Sequence, residues 1–252
     1  IAQVGGVEAV GSMVELSYSE PDPDNPAGGM NVGTSATIEG IDLNSKQKNR
    51  NWDVLSMKEG RMLEKGDGDD QVVLGISIAT DKKVHAGDKI TIRGKEFNVL
   101  GVIDKTMTGP DSYAMMSINP AREMLIESNP FLKSLKEQSD KAALTSDAAM
   151  AQLPPDIKKQ LQEVKAFKVE DLTTMAAVSW RDGYDSETVS NSIRDQFKDE
   201  VLVLSPKAMA EMIDKASVIF NAVILGSALL ALIVGSFSII NTMIMSISER
   251  TR

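Results

Sequence analysis

Two hydrophobic patterns divide the chain. The C-terminal one is continuous: residues 216–248 carry no charge. This run of about 33 positions exceeds the roughly 20 that cross a bilayer. Its core, Val218–Ile247, is rich in Ile, Leu, Val, Ala and Met, and a soluble helix of this length would carry a polar face. A transmembrane helix is expected. Ser205-Pro206 is a helix start, Ser as N-cap and Pro in the first turn. No Gly or Pro interrupts the run from Lys207 to Leu225, so the helix is expected to form an outer stalk before entering the membrane.

The second pattern alternates. Met13–Tyr18 reads as a strand after a turn, and Thr34–Ile41 as its return. Asn51–Gly66 reads as a short helix or turn, Gln71–Leu74 as a strand and Gly75–Lys83 as a short helix. Lys89–Arg93 and Glu96–Ile103 form a hairpin around Gly94-Lys95. Tyr113–Ile118 is a strand, followed by a helix from Asn119-Pro120 to Ile126. From Ser128 to Lys165 the chain turns to Ala, Lys, Gln, Leu and Ser, broken at Pro154-Pro155, and predicts two or three polar helices. Lys168–Arg181 returns to strand. Ser186–Phe197 places Val189, Ile193 and Phe197 at helical spacing, and Glu200–Leu204 is expected as a strand.

The fold class expected is α+β: a discontinuous extracytoplasmic domain with an inserted β-rich lobe, followed by one long transmembrane helix. The boundaries are 1–50 and 166–205 for the two parts of the outer lobe (the second a βαβ unit), 51–127 for the β-rich lobe and 128–165 for the polar helical insertion. The stalk and membrane helix span 206–248, and 249–252 begin a cytoplasmic segment. Arg250 and Arg252 put the C-terminus in the cytoplasm and residues 1–215 outside; Lys207 and Lys215 vote weakly the other way. The chain starts at Ile1 rather than Met and is expected to continue at both ends.

Small residues recur in the apolar run. Ala222 and Gly226, and Ser227, Ala231 and Gly235, lie at four-residue spacing and form a candidate packing stripe for another helix. Asn221 and Asn241 could bond to neighbouring helices. Small residues are also common in membrane helices generally, so both readings stand.

Composition narrows the chemistry. The net charge is −9 with no basic stripe, which argues against nucleic acid. Cysteine is absent and His85 is the single histidine, so thiol catalysis is excluded and multi-histidine metal sites are too. Aromatics are 4%, lean for a module that stacks bases or sugars. Asp22 and Asp24 suggest calcium, but Pro26 takes the next alternate position and no Glu closes the loop. Gly87–Lys95 resembles a phosphate loop with wrong spacing, and Glu96 stands where Ser or Thr is required. Asp67, Asp69 and Asp70 read as a metal cluster or as an exposed turn. No catalytic, cofactor or metal site is expected.

The stretch from Gly235 through Ile239-Ile240-Asn241-Thr242 to Ser248-Glu249-Arg250-Thr251-Arg252 resembles the second transmembrane helix and coupling segment of ABC transporter permeases of the MacB/FtsX type. Gly60-Arg-Met-Leu63, Val72-Val-Leu-Gly75 and Ala86–Val102 resemble that family's periplasmic core domain, and Gly6-Val-Glu-Ala-Val10 its opening. The insertion near Ser128–Lys165 departs from the pattern. The resemblance implies a porter-like outer lobe and a four-helix subunit working with a cytoplasmic ATP-binding cassette ATPase. It also implies a second permease subunit, identical or not, and contact with membrane lipid. ATP would be hydrolysed on another chain or domain. Ser248, Glu249, Arg250, Thr251 and Arg252 would receive its motion, and the outer domain would export or extract a peptide, lipoprotein or antimicrobial compound. The alternative is a membrane-anchored extracytoplasmic sensor or adaptor.

Overall fold

The computed structural model of the protein describes residues 1–20, 35–46, 51–145 and 154–250. It divides into two units, residues 1–2 with 7–181 and residues 3–6 with 182–252.

The first unit is built on one sheet of eight strands among the described residues. They are β1 (Val7–Ser17), β2 (Thr37–Ile41), β3 (Met57–Gly60), β4 (Gln71–Leu74), β5 (Lys89–Ile92), β6 (Lys95–Ile103), β7 (Tyr113–Ser117) and β8 (Met175–Trp180). The order is β3-β6-β4-β7-β2-β1-β8, with β5 also on β6. The pairs β2–β7 and β4–β6 are parallel and the rest antiparallel. β4 contacts β6 from Asn98 to Val102, while β5 takes Lys95–Asn98 and β3 takes Gly101–Ile103. Each β6 residue has two edges, so β3 and β5 follow one another along the edge opposite β4.

Both faces of this sheet are covered, as its centre shows. Val72, Val73 and Leu74 are each fully buried. One face carries Val14, Leu16, Ile38, Val72, Leu74, Ala114 and Met116. Against it pack α1 (Ile76–Lys82), through Ile78 and Ala79, and α2 (Ile118–Ser128), through Ala121 and Met124. The other face carries Met13, Ile41, Val73, Ile103 and Met115 under Leu43, Trp52 and Leu63. Successive residues of a strand point to opposite faces, which is why neighbours such as Val72 and Val73 enter different cores. α3 (Pro130–Ala143) and α4 (Pro155–Lys165) pack on each other. They are the described part of the polar insertion.

The second unit holds α5 (Ser186–Phe197) and α6 (Pro206–Arg250).

The hairpin turn is Arg93-Gly94, at φ 46° and 75°, not Gly94-Lys95. Lys95 already pairs with Ile92. Met57–Gly60, expected within a helix or turn, is a strand because it pairs with β6. The strand expected over 168–181 is confined to β8, and Val169–Asp171 is a 3-10 turn. Glu200–Leu204 is not a strand. A 3-10 turn occupies Lys198–Glu200, and Val201–Leu204 pairs with no strand among the described residues. Leu202 is left 86% exposed there.

Candidate functional site

The functional element best defined by the sequence is α6, and its start is closely specified. Asp185 caps α5, accepting the amides of Glu187 (2.8 Å) and Thr188 (3.3 Å) and the Thr188 hydroxyl. Those bonds hold the Asp185 carboxyl below the usual carboxylate range, the Thr188 hydroxyl contributing most. In the first turn of α5, Glu187 accepts from the hydroxyl of Ser205, which is buried. The same Ser205 oxygen accepts the Ala208 amide at 3.1 Å, so it caps α6 as its residue type predicts. Gly6 lies in this unit at φ +86°. A Cβ there would stand 2.6 Å from Tyr184 Cδ1 and 3.0 Å from Val189 Cγ2, so only glycine fits.

From Pro206 the helix continues to Arg250 without interruption, 45 residues, about 67 Å at helical rise. Residues 206–246 are long and apolar enough to cross a membrane, with mean hydropathy 2.5 in the most apolar window. Three hydroxyl side chains inside this stretch bond back along the helix. Ser227, Ser236 and Thr242 donate to the carbonyls of Val223, Leu232 and Ser238 at 2.8–2.9 Å. Ala222, Gly226, Ser227, Ala231 and Gly235 all lie on α6 and are exposed. Nothing approaches the positions a Cβ would take at Gly226 or Gly235. Ser248, Glu249 and Arg250 form the last helical residues, while Thr251 and Arg252 lie outside the described residues.

The other sequence candidates separate. Each member of the acidic cluster has its own partner. Arg61 clasps Asp67 with two bonds of 2.6 and 2.7 Å, which lowers the Asp67 carboxyl. Asp69 accepts from the Ser117 hydroxyl at 2.5 Å and from Asn119 Nδ2 at 3.1 Å. Asp70 accepts from Asn98 Nδ2 at 2.8 Å. Among the described residues no group of acids and histidine is placed to hold a metal. Gly87 leads into β5 rather than into a helix, and Lys89 pairs across the hairpin with Glu96 at 2.6 Å, so the segment is not a phosphate loop. His85 is largely exposed and stands 3.1 Å from Glu59, whose carboxyl it lowers together with the Ala86 amide. Asp22, Asp24 and Pro26 lie outside the described residues.

A residue that pattern reading passed over is Glu39 on β2. It is 8% exposed, and its Oε2 is buried without a hydrogen-bond partner. Burial first, then the Glu15 charge, push its carboxyl up to about 7.

Residues 1–196 match the family described as MacB-like periplasmic core domain. The chain is similar to an uncharacterized ABC transporter permease of Methanocaldococcus jannaschii, 24% identical over 218 residues. That alignment covers 83% of this chain and 43% of the relative, so the chain spans less than half of that protein's length. Among solved structures it is similar to the periplasmic region of MacB from Actinobacillus actinomycetemcomitans. The TM-score is 0.45 at 14% identity, over 84% of this chain and 78% of that one. It is also similar to the extracellular domain of the noncanonic ABC-type transporter YknZ from Gram-positive bacteria. Here the TM-score is 0.32 at 22% identity, over 50% of this chain and 61% of that one.

Proposed function

The chain belongs to the family of MacB-like periplasmic core domains, and from that premise we propose that it is the outer domain and one membrane helix of an ABC transporter permease subunit. The observation that carries this reading is α6. One unbroken helix of 45 residues follows the family-matched domain and contains a charge-free run longer than a bilayer is thick. Residues 1–215 lie outside the membrane in this reading and the C-terminus lies inside, because Arg250 and Arg252 flank the run. Residues 7–181, with their single sheet and the helical insertion of 128–165, are the outer domain's main body in this reading.

ATP is hydrolysed by a cytoplasmic ATP-binding cassette partner. Another membrane helix packs on the small-residue stripe of Ala222, Gly226, Ser227, Ala231 and Gly235, and a second permease subunit completes the membrane part. Ser248–Arg252 receive the motion of the ATPase and α6 transmits it outward as a rod. The outer lobes act on a peptide, lipoprotein or antimicrobial compound.

The test is an insertion after Lys215 in the full subunit with its ATPase. A Gly-Gly insertion adds two flexible residues, each costing roughly 1 kcal/mol of helix stability relative to Ala. An Ala-Ala insertion changes length and phase equally but keeps the helix stiff. Export activity falls with Gly-Gly more than with Ala-Ala, while ATP hydrolysis persists. Full export with the Gly-Gly insertion would sink the rod.

A further inference from the structure

Two carboxyls oppose each other where β1 meets β2. The register sets Glu15 directly across from Glu39. Opposed residues of an antiparallel pair share a face with Cβ atoms about 4.5–5.5 Å apart, and like charges there repel. Glu15 is exposed, and Glu39 is buried in the same row as Thr37 and Ile41. Tyr113 faces the pair from β7; burial first, then Glu39 and Glu15, raise its hydroxyl. Among the described residues, no lysine, arginine or histidine is paired with either carboxyl. The contrast with Asp111 is informative. That acid is equally buried but accepts two amides and a hydroxyl. Glu39 has a buried oxygen with no such donor. A buried carboxylate without donors or counter-charge is costly, and a proton removes the cost.

We propose that Glu15 and Glu39 form a proton-binding site, in which Glu39 carries the proton opposite Glu15, and that loss of this proton loosens β1 from β2. No part of this rests on the transporter reading. It gives the domain a response to the pH of its own compartment. The sign follows from the raised carboxyl. Between the ordinary carboxylate range and about 7 the folded domain holds a proton that the unfolded chain has released. Stability contributed by the site is therefore full below that range and is lost as pH rises through about 7. Asp67, Asp111, Asp185 and Glu59 are shifted the other way, so their contributions fade only on acidification.

The experiment is hydrogen–deuterium exchange of the chain in lipid nanodiscs at pH 5.5 and 8.0, corrected for intrinsic exchange rates. In the wild type, opening of β1 and β2 rises on the order of tenfold between these pH values. Glu39→Gln keeps the strands protected at both and abolishes the difference. Glu15→Gln moves the transition to lower pH. An equal pH slope in wild type and Glu39→Gln, or no slope in the wild type, overturns the proposal. Infrared titration of the wild type tests it without a variant. A protonated-carboxyl band present at pH 6 and gone by pH 9 is expected, and its absence at pH 6 overturns the site.

Discussion

The hydroxyl of Ser205 donates to Glu187 Oε2 at 3.0 Å while accepting the Ala208 amide at 3.1 Å, so one buried oxygen joins α5 to the first turn of α6. Ser205→Ala removes both bonds. Loss of an N-cap costs about 1 kcal/mol, and the Glu187 carboxylate loses a donor as well. Amide exchange in the first turn, at Ala208 and Met209, should rise several-fold, while exchange in the middle of α6 stays unchanged. Thr at this position keeps the oxygen and should restore most of the protection. Unchanged exchange at Ala208 in the Ala variant would show that the cap is idle.

Gly6 sits at φ +86° with Tyr184 and Val189 where a Cβ would go. Left-handed backbone costs a non-glycine residue roughly 1–2 kcal/mol before any contact is counted. Gly6→Ala should therefore lower the thermal midpoint, and the Tyr184 ring should move, read as a change in its fluorescence or side-chain NMR signals. Tyr184→Ala opens the space but leaves the backbone strained, so the double variant should recover only part of the loss. Full recovery would assign the cost to crowding alone.

On β2, Gly40 faces α2, and a Cβ there would lie 2.3 Å from the Cβ of Ala121. Helix and strand meet at a separation set by the missing methyl. Gly40→Ala should destabilise by about 1–3 kcal/mol, the usual cost of overpacking a filled core. Pairing it with Ala121→Gly should return part of that loss, because the two sites share one contact. Strict additivity in the double variant would mean that the contact is not what separates the elements.

Much of this architecture is legible in the residues, and the gaps have physical causes. The bounds of β4 and of α5 coincide with Gln71–Leu74 and Ser186–Phe197: β4 is a short continuous apolar run buried on both faces, whereas α5 sets Val189, Ile193 and Phe197 at helical spacing along one face. β3 is not legible. Lys58 and Glu59 fill its middle, and it is a strand only because β6, far along the chain, supplies the pairing. Glu200–Leu204 fails the opposite way, a strand-prone apolar run, Val-Leu-Val-Leu, that finds no partner strand among the described residues. Glu39 is the instructive case for function. Thr37-Ile-Glu-Gly-Ile41 reads as a strand with one wet face, yet that face lies in the row leading to Ile41, and Trp52 and Leu63 cover that core. A second covering layer leaves no mark on the strand's own alternation. The small-residue stripe of α6 is visible in sequence, whereas what covers it is a property of other helices.

Asp111 offers a pH test of opposite sign to Glu39. Its carboxylate accepts the Thr106 hydroxyl and amide, both at 2.7 Å, and the Met107 amide at 2.9 Å. The Thr106 hydroxyl bond, then the amides, hold the Asp111 carboxyl below its usual range. These bonds keep Met107 at φ +59° with its side chain 82% exposed, a conformation a non-glycine residue needs help to hold. A lowered carboxyl contributes stability above the ordinary carboxylate range, and that contribution is lost as pH falls toward the folded value. The amides of Thr106 and Met107 should therefore lose protection on acidification below the ordinary carboxylate range. Asp111→Asn should lose it at every pH, because an amide side chain cannot accept at all of these positions. Exchange at those two amides, followed from neutral pH downward, checks both statements. Protection that survives acidification in the wild type would mean the loop is held by something other than this carboxylate.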